Sequence, residues 1–362
     1  MSAVAGVSPD PSVRTSRVVR CQARVLRRRS LTHDTVELVL GRLPGSPPLL
    51  GRAGQFAVLT APGLDRPRAY SFARDPAQEA PGEHTFVIRL VPGGAMSGWL
   101  AGGDRIGEIV ELAGPLGRFG LDDHAGAMIF VAGGSGMSVT RALLQAAVRR
   151  QVPRDAVVLH GARTAADLYA GAELAQLAAG WHPGARCAVA EVLSDEPDDS
   201  AWAGPRGLVT DYLRDAVLTD LHLNIANASA WLCGPAPMIA AADTVLRAAG
   251  VAPSRIHRDV FEDASSPAPV IDNRRCVLCD ECLLVRPVDG CIVESSGFEV
   301  AVDGGVAGPC ALVPGATSGL YYNSLVIDPE RCIRCSACIN ACPHGAIDPG
   351  YPRRTETLRQ PA

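Results

Sequence analysis

The sequence predicts a multidomain chain. A small antiparallel β-barrel comes first, then an α/β domain with an open, mostly parallel sheet, then a small α+β cysteine module. Three observations predict this. Strand-length apolar runs separated by Gly, Pro and Asp clusters occupy residues 17–122. Near residue 126 the pattern changes to short continuous apolar runs alternating with helical stretches. Nine of the twelve cysteines lie after residue 275, which marks a metal-bearing segment on a cysteine-poor body. The expected divisions are a disordered tail over 1–16, the barrel over 17–122 and the α/β domain over 123–262. A Ser- and Pro-containing linker over 263–271 leads to the cysteine module over 272–350 and a polar tail over 351–362.

In the barrel, the runs VVRCQARVL, TVELVLG, GQFAVLTAP, HTFVIRLV and DRIGEIVEL read as strands. Two motifs interrupt them. Arg68, Ala69, Tyr70 and Ser71 close one strand; the arginine can grip a phosphate and the tyrosine offers a flat face to a ring. The other reading of Arg68 is a solvated strand end. Gly94, Met96 and Ser97 open a short helix running to Leu100, whose amides would face an anion.

The run AMIFVAGG reads as a parallel strand buried on both faces. Gly133, Gly134, Ser135 and Gly136 follow, then the helical VTRALLQAAVRR. Strand, glycine turn and helix form the dinucleotide-phosphate arrangement, although the third glycine of G-x-G-x-x-G is replaced. Further strand and helix runs alternate up to RIHRDVF, the last strand. Cys233, Gly234 and Pro235 end the apolar run ASAWL at the carboxyl edge, where such sheets bind ligands; the plainer reading of Cys233 is a small buried hydrophobe. Arg163 follows the next strand, where it could read a 2′-phosphate or simply start a helix, so NADH and NADPH both remain open.

The cysteine module holds two related loops. Cys332, Cys335, Cys338 and Cys342 follow C-x2-C-x2-C-x3-C-P, an iron–sulfur pattern in which the fourth cysteine serves the other cluster. Cys276, Cys279 and Cys282 repeat the first three positions, but Arg286 stands before Pro287 where the fourth cysteine belongs. Crossed ligation therefore groups Cys276, Cys279, Cys282 and Cys342. It leaves Cys332, Cys335 and Cys338 needing a fourth ligand, with Cys291 the best substitute and Cys310 the next; without either, a three-iron cluster or a non-thiolate fourth ligand follows. Between the loops, residues 292–328 read as an inserted β-hairpin with GFEVAV and GLYYNSLVI as its strands.

A net charge of −4 gives no basic field for nucleic acid. No run approaches the ~20 apolar residues of a membrane span. Open thiolates require a reducing compartment, so a cytoplasmic location is expected.

Taken in order, RAYSFA, VPGGAMSGWL, GPLGRF, VAGGSGMS, GARTAADLY and LCGPAPMI resemble the ferredoxin–NADP reductase superfamily, and within it the reductase components of bacterial oxygenases, over residues 17–262. The resemblance implies FAD on the barrel, with Tyr70 stacking on the isoalloxazine, Ser71 near flavin N5, and Gly94 to Ser97 cradling the pyrophosphate. It implies NAD(P)H at Gly133 to Gly136, and Cys233 orienting hydride transfer. Relatives with an attached ferredoxin mostly carry a plant-type C-x4-C-x2-C domain; here the module resembles bacterial 2[4Fe–4S] ferredoxins. The function implied is an NAD(P)H-dependent reductase that sends single electrons through the clusters to a partner protein, such as an oxygenase, a P450 or a ferredoxin. The alternatives are a self-contained flavin reductase of a small molecule and a redox-sensing iron–sulfur protein.

Overall fold

A computed structural model describes residues 18–64, 66–218, 224–260, 267–296, 298–300, 306–309 and 323–349. The chain divides into two compact units, residues 19–262 in one and residues 1–18 with 263–362 in the other.

The larger unit opens with β1 (Val19–Ser30), β2 (Thr35–Arg42), β3 (Phe56–Thr60), β4 (Arg68–Ser71) and β5 (Glu83–Arg89). Helix α1 (Ala95–Ala101) and β6 (Ile109–Leu116) complete this half. The strands pair antiparallel in the order β4-β3-β6-β1-β2-β5. A bridge between Phe72 and Phe86 brings the two edges together, so the sheet is nearly closed. Along β1, Cys21, Ala23 and Val25 turn inward between exposed neighbours, the period-two pattern of a half-buried strand. They pack with Leu38, Leu40, Phe72, Phe86, Trp99 and Leu112.

The second half contains β7 (Met128–Gly133), α2 (Met137–Arg149), β8 (Ala156–Ala162), α3 (Gly171–Ala179) and β9 (Cys187–Leu193). It continues with α4 (Val209–Tyr212), β10 (Ser229–Gly234), α5 (Ala236–Ala248) and β11 (Ile256–Val260). The strands are parallel in the order β11-β10-β7-β8-β9. Every residue of β7 and β10 is buried, as two covered faces require. The chain builds one side of the sheet from β7 through β9 and then returns to build the other. The topological switch therefore lies between β7 and β10.

The two halves are tied by buried polar contacts. Arg141 on α2 is 2% exposed; its Nε donates to the Ala73 carbonyl at 2.9 Å, and its guanidinium pairs with Glu37 at 3.5 Å and Glu173 at 3.2 Å. Arg149 pairs with Asp75 at 2.7 Å, and Gln145 accepts from the Asp75 amide. The Trp231 indole stacks on Phe130 at 4.9 Å and donates to the Gly120 carbonyl at 2.8 Å.

The smaller unit begins with β12 (Val270–Ile271) and α6 (Glu281–Leu284). Strands β13 (Ile292–Ser296), β14 (Phe298–Val300), β15 (Val306–Pro309) and β16 (Asn323–Ile327) follow, then α7 (Ala337–Ala341) and β17 (Ile347–Asp348). Strand β12, in the segment expected to be linker, pairs antiparallel with β17. The insert is not the single hairpin expected. GFEVAV contributes β14, which pairs with β15, while NSLVI forms β16 and pairs with β13. The nearer Val306–Pro309 segment closes a shorter loop, and this local pairing wins. Cys310 lies outside the described residues. Among the described residues no helix is long and apolar enough to cross a membrane.

Candidate functional site

The loops after β7 and β10 meet at the switch point. Gly134 has φ +52° and nothing within 4 Å of where a Cβ would stand, so its outer face is open. Gly136 has the opposite environment: a Cβ there would fall 2.3 Å from the Cys233 carbonyl oxygen. Its hydrogen lets the start of α2 press on the end of β10, which is a packing duty. A Cβ at Gly234, whose φ is +143°, would fall 3.0 Å from the Gly133 backbone. Ser135 is half-buried in the same turn, and Pro235 is the N-cap of α5.

Tyr70 on β4 is half-buried against the barrel core, and burial pushes its hydroxyl pKa upward. Arg68 donates to the Pro67 carbonyl at 3.0 Å, and Ala69 is half-buried between them on the strand. Gly94 is the N-cap of α1. The Ser97 hydroxyl accepts the Val91 amide at 2.9 Å, so it holds its own loop in shape. Met96 is 3% exposed in the barrel core, which leaves only its main chain to meet a ligand. Arg163 is exposed and pairs with Asp167 at 3.3 Å.

One residue not singled out from the sequence joins these elements. Asp259 on β11 accepts from the Ser71 hydroxyl at 3.2 Å and lies 3.7 Å from the Cys233 Sγ. The parallel register sets Cys233 directly beside Asp259, and the barrel supplies Ser71. Burial raises the Asp259 carboxyl to about 6, although the hydrogen bonds from Ser71 and Cys233 oppose the shift. Burial and the neighbouring carboxylate push the Cys233 thiol well above the ordinary range, so it stays a thiol. Because the folded-state pKa of Asp259 is raised, its contribution to stability is complete below about pH 4 and is lost as pH rises through about 6. Asp259→Asn should therefore flatten part of the stability decline between about pH 4 and 6; an unchanged difference between variant and wild type in thermal melts across that window would contradict this.

In the smaller unit, two cavities each gather four cysteines. Cys276, Cys279, Cys282 and Cys342 line one, with Asp280 and His344 beside them. Cys291, Cys332, Cys335 and Cys338 line the other, with Arg286. The two loops share a backbone. Leu278 and Asp280 in the first have φ +56° and +60°, and Arg334 and Ser336 at the matching positions have +59° and +56°. Left-handed residues on both sides of the middle cysteine curl the chain into a concave nest suited to an anionic cluster. The donor set fits a metal centre. Burial and neighbouring cysteines raise Cys282 to about 11, and burial raises Cys335 to about 12, so a cation is needed to hold these sulfurs as thiolates. The Ala346 amide donates to Cys342 Sγ at 3.2 Å.

A nearly closed barrel beside a switch-point sheet, with a four-plus-four cysteine module, defines a multidomain redox protein. Comparison with known proteins agrees. Residues 22–120 match the oxidoreductase FAD-binding domain, 130–244 the oxidoreductase NAD-binding domain and 325–348 the 4Fe-4S binding domain. The xylene/toluene monooxygenase electron transfer component XylA of Pseudomonas putida is 36% identical over 243 residues, which cover 67% of this chain and 66% of that protein. The aromatic O-demethylase reductase subunit of an Amycolatopsis species is 36% identical over 248 residues, 67% of this chain and 70% of that one. The crystal structure of the Amycolatopsis cytochrome P450 reductase GcoB superposes with a TM-score of 0.60 at 34% identity, over 68% of this chain and 72% of that one. The chain thus spans about two thirds of the length of these relatives. It belongs to the ferredoxin–NADP reductase family of FAD- and NAD-binding oxidoreductases, and carries a 4Fe-4S domain in addition.

Proposed function

We propose that the protein takes electrons from NADH or NADPH and delivers them singly, through FAD and two iron–sulfur clusters, to a separate redox protein. The observation that carries this reading is the gathering of eight cysteines, four and four, on the same chain as the FAD- and NAD-binding domains. A bound flavin supplies the conversion of a hydride donor's electron pair into single electrons, which clusters carry onward.

The chain's own residues have distinct duties in this reading. Arg68, Ala69, Tyr70 and Ser71 form the edge that receives the flavin ring, with the Tyr70 face against it. Gly94, Ser97 and the main chain of Met96 bound the flavin pyrophosphate, and Gly133 to Gly136 bound that of the nicotinamide dinucleotide. Cys233, Gly234 and Pro235 limit how the nicotinamide approaches, and Asp259 orients both Ser71 and Cys233 through its hydrogen bonds. Arg163 meets the adenosine ribose of the nicotinamide dinucleotide and reads its 2′-phosphate if one is present. Cys276, Cys279, Cys282 and Cys342 hold one cluster, and Cys291, Cys332, Cys335 and Cys338 the other. Open thiolates need a reducing compartment, and this supports a cytoplasmic location. The relatives named as monooxygenase and P450 reductase components make an oxygenase or P450 the expected acceptor.

Anaerobic titration with NADH and with NADPH tests the relay. The flavin absorbance and the broad iron–sulfur shoulder should both bleach, and an acceptor protein should then be reduced. A flavin that reduces while the shoulder stays unchanged would refute it.

A further inference from the structure

The two four-cysteine sites share a fold but differ sharply in charge. At the matching left-handed positions, Leu278 and Asp280 of the first loop correspond to Arg334 and Ser336 of the second. Asp280 lines the first cavity and Glu281 follows it, so this loop carries a formal −2 (−1 for each). The second site has Arg286 in its wall and Arg334 in its loop, a formal +2 (+1 for each). Arg286 stands four residues after Cys282, as Cys342 stands four after Cys338. A fixed cation therefore replaces a thiolate at one of two equivalent positions, while Cys291 supplies the thiol from further along.

Arg286 is anchored there. Its guanidinium donates to the Ile292 carbonyl at 3.0 Å, next to Cys291, and no carboxylate lies within ion-pair distance among the described residues. Arg334 donates to the Pro329 carbonyl at 2.6 Å and to the Cys332 carbonyl. Nearby charge and hydrogen bonds to sulfur are what a protein uses to set a cluster's potential. The Ala346 amide on Cys342 acts the other way and favours reduction of the first site. It is one neutral dipole against formal charges of opposite sign, and its field falls off faster with distance.

We propose that Arg286, supported by Arg334, makes the Cys291/Cys332/Cys335/Cys338 site the more readily reduced of the two, while Asp280 holds the other site at lower potential. One electron enters the module with no bond made or broken, and it rests at the arginine-flanked site. This inference rests on the iron–sulfur reading of the module. Arg286 is a positioning residue for charge and touches no substrate.

The test is an anaerobic EPR-monitored redox titration of the full-length protein with dithionite and mediators, with iron and sulfide counted in every sample. Cys291→Ala identifies which signal belongs to which site. Wild type should show the arginine-flanked site reducing first. Arg286→Gln should lower the reduced-to-oxidised ratio of that site about tenfold at the wild-type midpoint, a shift of about 59 mV, and leave the other site in place. Arg286→Lys should retain most of the wild-type value. Should Arg286→Gln fail to hold iron at its site, Asp280→Ser reads the same asymmetry by raising the other midpoint. Two fully loaded sites with unmoved midpoints in both variants would overturn the charge argument while leaving the clusters intact. A wild-type protein without iron and sulfide would overturn the cluster reading and this inference together.

Discussion

Cys291→Ala should strip the second four-cysteine site of one of its thiolates and break delivery to the acceptor protein. The iron count should fall by one iron or by a whole cluster, and acceptor reduction should drop by more than the ~100-fold that even outer partners of a metal can cost. NAD(P)H-dependent reduction of a small dye should continue, because the flavin and nicotinamide loops belong to the other unit. That split separates the ligand role from a folding role. Cys291 is 7% exposed and packs with Cys282, Ile292 and Ile327, so a merely structural thiol would tolerate serine or alanine with iron content unchanged. Unchanged iron and sulfide in Cys291→Ala would exclude it as a ligand.

Arg141→Ala should strongly destabilise the larger unit. Removing the guanidinium leaves Glu37, which is 8% exposed, with only the more exposed Arg29 at 3.1 Å and Arg74 at 3.8 Å, and leaves the Ala73 carbonyl without its donor. Breaking a buried pair from one side costs about 3–5 kcal/mol. For a unit of this size that corresponds to a fall in melting temperature of roughly 10 °C. Arg141→Lys should recover part of the loss, since one ammonium cannot reach the carbonyl and both carboxylates in the same fork geometry. A melting temperature within a degree of wild type for Arg141→Ala, measured on the flavin-loaded protein, would show that the network contributes little.

What could be read from the sequence depended on whether the relevant contacts were local. The strand and glycine turn at residues 128–136 were legible because a fully buried parallel strand writes itself as an unbroken apolar run. The cysteine loops were legible for the same reason, their ligand spacing being fixed within seven residues of chain. Asp259 was not. Its importance comes from register, which sets it beside Cys233 on the neighbouring strand and within 3.2 Å of a serine 188 residues away. Arg141 was hidden more deeply, because an arginine in an amphipathic helix reads as solvated until its partners on β2 and α3 are in place. Gly136 was seen as a glycine but for a different duty, since only the fold reveals the Cys233 carbonyl against it. The insert between the cysteine loops misled because two nested strand pairs and one long hairpin carry the same apolar pattern.

The pairing of Val270–Ile271 with Ile347–Asp348 has a consequence for how such a chain is assembled. Entry and exit lie side by side, so the electron-carrying segment closes on itself like a cartridge. Segments with adjoining ends can be spliced in, removed or exchanged while the host keeps its own core. A reductase of otherwise ordinary design could in this way trade one kind of built-in wire for another.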